Sequence, residues 1–268
     1  MKIVYEDEEI LVLNKDAGVP VQAGRVTVPD LVSEVRNYLM EKTGDPYVGI
    51  VHRLDQPVEG LIVFAKTRNA AARLSAQAAG KAKGGSDMRK VYCAWVCLTD
   101  EQGRRAAEAG RKRVVTLTDF LRRDMALNKT LVCFEGDEGA KLAVLTYRTL
   151  SIDGDTATLE VHLKTGRHHQ IRAQLSHTHM PIVGDTKYGG AVPDRNSAGA
   201  DGQSAEEGGQ SNQDMLRRDG RVNGQDGVPV RNRETGIRLC ACRLSLRHPQ
   251  SGRKMSFEIT PSFMKKPE

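Results

Sequence analysis

Residues 51–66 read VHRLDQPVEGLIVFAK. A turn carries Asp55 just before the apolar run 61–65, with Arg53 two positions upstream and Gly60 directly before the run. Loops that leave the rim of a sheet often carry binding and catalytic residues, and glycine permits the close approach of backbone or ligand. Taken alone, this pattern favours an ordinary turn aspartate in front of a buried strand.

Hydrophobic periodicity predicts an α+β fold. Helices are predicted from the N-cap Thr27 to Gly44, over residues 69–79 behind the cap Thr67, and over the short segment 169–176. The first fifteen residues predict a hairpin, because two apolar segments flank an acidic turn. Alternating apolar positions predict further strands over residues 61–66, 90–98, 142–150, 156–163, 238–246 and 254–259. Several strands and few long helices, without a regular βαβ order, are typical of an α+β architecture.

Residues 190–235 differ in composition from the rest of the chain. They are rich in glycine and polar side chains and contain no aromatic residue. Such a segment buries too little apolar surface to offset the entropy lost on ordering. We therefore expect a disordered insertion within a single domain that spans residues 1–268.

Charge and composition exclude several classes of protein. The formal net charge is +6, which fits a polyanionic partner. No apolar run approaches the roughly 20 residues that a membrane-spanning helix needs, and the acidic N-terminus lacks the layout of a signal peptide. The five cysteines form no C-x-x-C pair and are expected to be reduced, which predicts a cytoplasmic protein.

Three further motifs accompany residues 51–66. Residues 10–21 read ILVLNKDAGVPV, residues 89–96 read RKVYCAWV, and residues 163–172 read LKTGRHHQIR, followed by MPIVGDTKYG over residues 180–189. In this order, the four motifs resemble those of the RluA-type pseudouridine synthases. Asp16 stands where the family usually has proline, and Val58-Glu59 replaces the usual Thr-Ser. The extra carboxylate of Glu59 would raise the pKa of Asp55 if the two groups lay close together.

The resemblance implies a fold and an activity. The implied fold is a mixed, mainly antiparallel sheet in two halves around a catalytic cleft, here without the S4-like RNA-binding domain that many family members carry in front of it. The implied activity is the isomerisation of specific uridines to pseudouridine in structured RNA, either rRNA or tRNA. The expected enzyme needs no metal or other cofactor and is a monomer whose partner is RNA.

The resemblance also assigns roles to individual residues. Asp55 would be the catalytic residue, acting at the sugar through either a covalent ester or a glycal. Tyr92 would stack on the target uracil, and Arg172 would pair with Asp55 and favour its ionised form. Arg53 would take the place of the extruded nucleotide. Arg167 would bind the RNA, although its role and that of Arg172 could be exchanged.

Two other classes of function stay open at this point. One is an RNA-binding protein of the same fold that has lost catalysis, which the departures at Asp16 and at Val58-Glu59 suggest. The other is a metal-dependent hydrolase. Its metal ligands would come from the five histidines His162, His168, His169, His177 and His179. No neighbouring cysteine or acidic cluster in the sequence completes a tetrahedral ligand set with them.

Overall fold

An eleven-stranded mixed sheet organises the part of the chain that the computed structural model describes, namely residues 1–24, 28–44, 47–82, 88–191 and 236–265. The strands follow the order β1-β2-β4-β10-β5-β9-β8-β6-β7, with β3 paired to β4 and β11 paired to β10. Their bounds are β1 Lys2–Glu6, β2 Ile10–Lys15, β3 Gly49–Ile50, β4 Glu59–Ala65, β5 Arg89–Cys97, β6 Val115–Asp124, β7 Lys129–Cys133, β8 Lys141–Asp153, β9 Thr156–Leu163, β10 Leu239–Arg247 and β11 Lys254–Glu258.

Four α-helices accompany the sheet within the described residues. They are α1 Leu31–Thr43, α2 Arg68–Ala78, α3 Glu101–Lys112 and α4 Gln170–His177, together with short 3₁₀ turns at Thr186–Tyr188 and Ser262–Met264. The first three helices begin behind a side chain that accepts a backbone N–H, as N-caps commonly do; the three caps are Asp30, Thr67 and Asp100. The predicted α+β class is thus confirmed, with strands and helices in mixed order.

Strands β2 and β4 are covered on both faces, which explains their unbroken apolar sequences ILVL and LIVFA. One face packs against the buried stripe of α1, whose members include Val35 and Leu39. The opposite face packs against Ala70 and Leu74 of α2. The loop that carries Asp55 therefore leads directly into a strand that is buried on both faces.

Gly60 allows the one parallel pairing among the named strands, between β4 and β10. Its φ of +126° lies in a region that side-chain-bearing residues rarely adopt. A Cβ at this position would lie 2.5 Å from the backbone nitrogen of Ala241 on β10. The close approach expected at Gly60 is therefore made by the backbone of a neighbouring strand.

The start of α1 differs from the prediction. The helix begins at Leu31, and its N-cap is Asp30, whose carboxylate accepts the N–H groups of Ser33 and Ala23. The predicted cap Thr27 was wrong, and that residue itself lies outside the described residues. The Asp30 carboxylate is the better N-cap, because it binds both the loop before the helix and the first turn of the helix. The hydroxyl of Thr27 lies three residues earlier in the sequence. The predicted end at Gly44 is correct, since Gly44 adopts the left-handed conformation of a C-cap.

Helix α3 and the hairpin formed by β6 and β7 were missed by the sequence analysis. The buried stripe of α3 consists of Gly103, Ala107 and Gly110, which carry almost no hydrophobic signal. Small residues are needed there, because a Cβ at Gly103 or Gly110 would collide with the neighbouring backbone and side chains. The hairpin has only two fully buried residues, Leu121 and Thr130, so its apolar pattern is weak.

Most of the predicted insertion, residues 190–235, lies outside the described residues, and a single domain over residues 1–268 stays a prediction. Within the described ranges, no helix combines the length and the apolar character that crossing a membrane would require.

Replacing Gly60 with alanine should lower the free energy of unfolding by at least about 2 kcal/mol, because the new Cβ adds backbone strain to a clash with β10. Gly24→Ala is the control, since Gly24 has no positive φ and a Cβ added there would meet no atom within 4 Å. Denaturant unfolding of both variants measures the difference. Equal stability of the two variants would contradict the close β4–β10 approach.

Candidate active site

Asp55 lines a cleft of about 870 Å³, together with residues of the loop after β2, of strand β5 and of helix α4. The loop that carries it connects β3 to β4, and its turn is closed by a hydrogen bond from the N–H of Val58 to the carbonyl of Asp55, 3.0 Å long. About 32% of the Asp55 side chain is exposed, so the carboxylate is accessible from the cleft. The remaining predicted site residues line the same cleft: Arg53, Tyr92, Arg167 and Arg172.

Arg172 is buried on α4, and Asp185 is its main partner. The Nε and Nη2 atoms of Arg172 donate to the two carboxylate oxygens of Asp185, both at 2.7 Å. The third nitrogen, Nη1, lies 3.7 Å from Oδ2 of Asp55. The expected pairing of Arg172 with Asp55 is therefore the longer of two ion pairs. Asp185 was missed, although the G-D step of residues 180–189 was a signal for it.

Burial is the largest influence on Asp55 and raises the pKa of its carboxyl group above the usual value. The cations Arg172 and Lys15 act in the opposite direction, and Asp185 adds to the rise. Arg172 favours the ionised form of Asp55, as expected, but desolvation in the cleft outweighs the two cations. Glu59 is directed elsewhere: its Oε1 accepts the N–H of Ser262 at 2.8 Å.

Lys15 is a second buried cation that the sequence analysis did not identify as a site residue. Its side chain is buried at the end of β2, and Nζ donates to the carbonyls of Asp16, Val19 and Gln56 at 3.0, 2.8 and 3.1 Å. Burial lowers the pKa of Lys15 to about 8, although Asp55 raises it. The lysine thus fastens the loop next to Asp55 and places a positive charge behind it. The N-K step that follows the first apolar strand was the available signal.

Tyr92 lies on β5 with 5% of its surface exposed and lines the cleft. Burial raises the pKa of its phenol, and the negative charge of Asp55 raises it further. The phenol therefore keeps its proton at neutral pH, and strands β9 and β10 flank the strand that carries it. An aromatic face of this kind suits contact with a planar base.

Arg53 and Arg167 differ from Arg172 in being exposed at the rim of the cleft. The Nε atom of Arg167 donates to the carbonyl of Leu142 at 2.9 Å, which directs the guanidinium along the rim. Of the two arginines whose roles could be exchanged, Arg172 is the one that approaches Asp55.

The adjacent histidines of residues 163–172 also belong to the cleft. The rings of His168 and His169 stack with centroids 3.7 Å apart, and Nε2 of His169 lies 3.6 Å from Oδ2 of Asp55. Burial and the neighbouring cations lower the pKa of His169 to about 3 and that of His168 to about 4, so both rings are neutral at pH 7. In the described part of the chain, no three His, Cys, Asp or Glu side chains are arranged to hold a metal ion.

A family model described as RNA pseudouridylate synthase matches residues 9–177. The chain belongs to this family. The match includes Asp55, Tyr92 and Arg172, and it confirms the resemblance that the four sequence motifs carry.

Curated relatives agree with this assignment. Ribosomal large subunit pseudouridine synthase D of Pseudomonas aeruginosa is 35% identical over 192 residues, which cover 71% of this chain and 54% of that protein. The protein of the same name from Yersinia pestis is 34% identical over 192 residues, which cover 71% of this chain and 53% of the Yersinia pestis protein. The chain thus spans about half the length of the curated relatives it matches.

Solved structures share the fold. Human RNA Pseudouridylate Synthase Domain Containing 4 superposes with a TM-score of 0.63 at 19% identity, covering 98% of this chain and 89% of that one. Human RNA Pseudouridylate Synthase Domain Containing 1 gives a TM-score of 0.58 at 18% identity, covering 98% and 84%. The fold predicted from the motifs is thereby confirmed.

Asp185→Asn should lower the free energy of unfolding by about 3 kcal/mol, because it leaves the buried guanidinium of Arg172 without its bidentate partner. Asp155→Asn is the matched control, since Asp155 pairs with Arg104 at the surface and its loss should hardly change stability. Denaturant unfolding of both variants compares the two pairs. A cost for Asp185→Asn no larger than that for Asp155→Asn would contradict the structural role of the buried pair.

Proposed function

We propose that this protein isomerises uridine to pseudouridine in structured RNA, with the Asp55 carboxylate acting at the sugar of the target nucleotide. The observation that carries the proposal is the convergence of Asp55, Tyr92 and Arg172 in one cleft of about 870 Å³. Family membership and the names of the curated relatives support the same reaction. Those names favour large-subunit ribosomal RNA over tRNA as the substrate.

The reaction conserves atoms, and the residues of the cleft can supply what it needs. The bond from C1′ to N1 breaks, the uracil turns, and a bond from C1′ to C5 forms. The hydrogen on C5 then leaves as a proton, and N1 takes up a proton, so that the product has the same atoms as uridine. Asp55 either attacks C1′ and forms an ester or removes a proton from C2′ to give a glycal; both routes need its anion. Arg172 and Lys15 stabilise that anion, while partial desolvation keeps it reactive.

Recognition of the nucleotide would divide between the floor and the rim of the cleft. A uridine inside a folded RNA is reached only when it turns out of the stack, and an aromatic face then replaces the lost neighbours. Tyr92 provides such a face next to Asp55. At the rim, the exposed cations contact phosphates or fill the space of the displaced nucleotide; they include Arg53, Arg123, Arg167 and Lys187.

Location, oligomeric state and cofactor requirement are further parts of the proposal. We infer a cytoplasmic protein that acts as a monomer on RNA and uses neither a metal nor a small-molecule cofactor. Two observations support the cytoplasmic location: the curated relatives act on bacterial ribosomal RNA by name, and the five cysteines are free thiols.

Asp55→Asn should abolish pseudouridine formation in RNA while RNA affinity stays nearly unchanged, because an amide keeps the shape of the side chain without its charge. Glu59→Gln, in the same motif, is the control and should keep activity near the wild-type level, since Glu59 bonds Ser262 instead of facing the sugar. Single-turnover assays with transcribed ribosomal RNA measure both. Activity of Asp55→Asn within tenfold of wild type would contradict the assignment, whereas RNA binding by an inactive wild-type protein would indicate a protein of this fold that has lost catalysis.

Arg172→Ala should slow the chemical step and move the acidic limb of the pH–rate profile to higher pH. Arg172 lowers the pKa of Asp55, so its removal raises that pKa and the anion is lost at a higher pH. Arg172→Lys keeps the charge and should retain the position of the limb more closely, which separates the charge effect from misfolding.

Arg167→Ala is the comparison within the same motif. It should weaken RNA binding more than chemistry, because Arg167 lies at the exposed rim. Single-turnover rates at saturating RNA report the chemical step separately from binding. If Arg167→Ala slowed that step while Arg172→Ala did not, the roles of the two arginines would be reversed.

A further inference from the structure

A chain of hydrogen bonds reaches the candidate active site from the β6–β7 hairpin. The backbone N–H of Thr130 on β7 donates to the phenol oxygen of Tyr188 at 2.7 Å. The same phenol lies 3.0 Å from Nδ1 of His169. On its other side, the His169 ring presents Nε2 to Asp55, with 3.6 Å between Nε2 and Oδ2. Thr130, Tyr188 and His169 therefore form a continuous path from a strand backbone to the Asp55 carboxylate.

The partners of these bonds favour one position for the proton of the neutral imidazole. The Tyr188 oxygen accepts the Thr130 N–H, and its own proton can be donated to Nδ1 of His169, 3.0 Å away. In that arrangement Nδ1 accepts, and the proton of the neutral imidazole lies on Nε2. Nε2 is the atom that faces Asp55, so an N–H points at the carboxylate.

The surroundings of His169 keep the ring neutral and oriented. His168 stacks on one face, and the guanidinium of Arg172, with Lys187 and Arg123 farther out, disfavours a second positive charge. Asp55 is the anionic group in contact with Nε2. Burial lowers the pKa of His169 to about 3, which agrees with a neutral donor.

The backbone of His169 indicates that its side chain serves the cleft and not the helix. His169 is the N-cap of α4, yet its side chain makes no capping hydrogen bond. Its φ is +48°, in the left-handed region where a non-glycine residue costs about 1 kcal/mol or more. Glycine would adopt this conformation without that strain. The presence of a strained histidine at this position therefore suggests that its imidazole, which is directed at Asp55, has a role in the cleft.

We propose that His169 is a positioning residue for Asp55, with Tyr188 and Thr130 fixing the tautomer that directs Nε2–H at the carboxylate. The inference rests on the proposed function. The distance of 3.6 Å is longer than a hydrogen bond, and such contacts in unliganded sites often tighten when the substrate binds. Nη1 of Arg172 approaches the same oxygen, Oδ2, at 3.7 Å. Two donors would then hold Oδ2 and leave Oδ1 to react with the sugar.

A double-mutant cycle tests whether the Tyr188 hydroxyl affects the reaction rate only through His169. Tyr188→Phe keeps the ring that lies against Arg172 but removes the hydroxyl, and His169→Gly removes the imidazole while allowing the left-handed backbone. Each single variant should slow the single-turnover rate at saturating RNA about tenfold or more, as the loss of a hydrogen bond to a charged group does. In the His169→Gly protein, Tyr188→Phe should have no further effect. Rate losses that multiply in the double variant would overturn the proposal.

The control for the hydroxyl deletion is Tyr147→Phe. Tyr147 is also buried, and its hydroxyl donates to the carbonyl of Ala106, away from the cleft. This variant should keep the wild-type single-turnover rate. If Tyr147→Phe slowed the single-turnover rate as much as Tyr188→Phe does, the loss of any buried hydroxyl would explain the result, and the proposal would be contradicted.

Nitrogen NMR of the histidine rings tests the tautomer without any assay of activity. In the wild-type protein, His169 should show a protonated Nε2 and an unprotonated Nδ1 at pH 7, whereas Tyr188→Phe should show a mixture of both tautomers. A wild-type ring protonated at Nδ1 would overturn the inference. Because the spectrum is independent of turnover, a protein that shows the expected tautomer but forms no pseudouridine would refute the proposed function and leave the hydrogen-bond chain intact.

Discussion

The buried ion pair between Arg172 and Asp185 is the interaction on which the geometry of the cleft depends. Two hydrogen bonds of 2.7 Å occupy one edge of the guanidinium and leave Nη1 directed at Asp55. Removing such charges from water costs several kcal/mol. The bidentate hydrogen bonding between Arg172 and Asp185 offsets this desolvation cost. The pair joins α4 to the segment after it, and Tyr188 of that segment packs against the same guanidinium. Cation, helix and tyrosine are therefore fixed together.

The other side of the cleft is fixed by the central strands. Lys15 at the end of β2 fastens the loop next to Asp55 through three carbonyls, and Gly60 brings β4 against β10 directly after that loop. Asp55 thus lies near two cations, Arg172 and Lys15, yet in a recess where burial raises its pKa. This balance provides an anion that is oriented and only partly hydrated, which suits attack on a sugar carbon.

Much of this arrangement was predictable from the sequence, because local motifs carry both the strands and the residues that line the cleft. Asp55, Tyr92 and Arg172 were identified from their motifs, and the cleft contains all three. Asp185 was missed because the partner of a buried arginine is set by tertiary packing and not by spacing in the chain. The sequence also could not show that burial is the largest influence on the pKa of Asp55, since burial cannot be read from a turn sequence. Helix α3 escaped detection because glycine and alanine form its buried stripe.

Mapping pseudouridines in large-subunit ribosomal RNA tests the central claim most directly. The maps would be compared between cells that carry the wild-type gene, cells that lack it, and cells that carry only the Asp55→Asn version. The account predicts that at least one pseudouridine disappears without the gene and returns only with the wild-type protein. Identical maps in all three strains, or restoration of the missing site by Asp55→Asn, would contradict it.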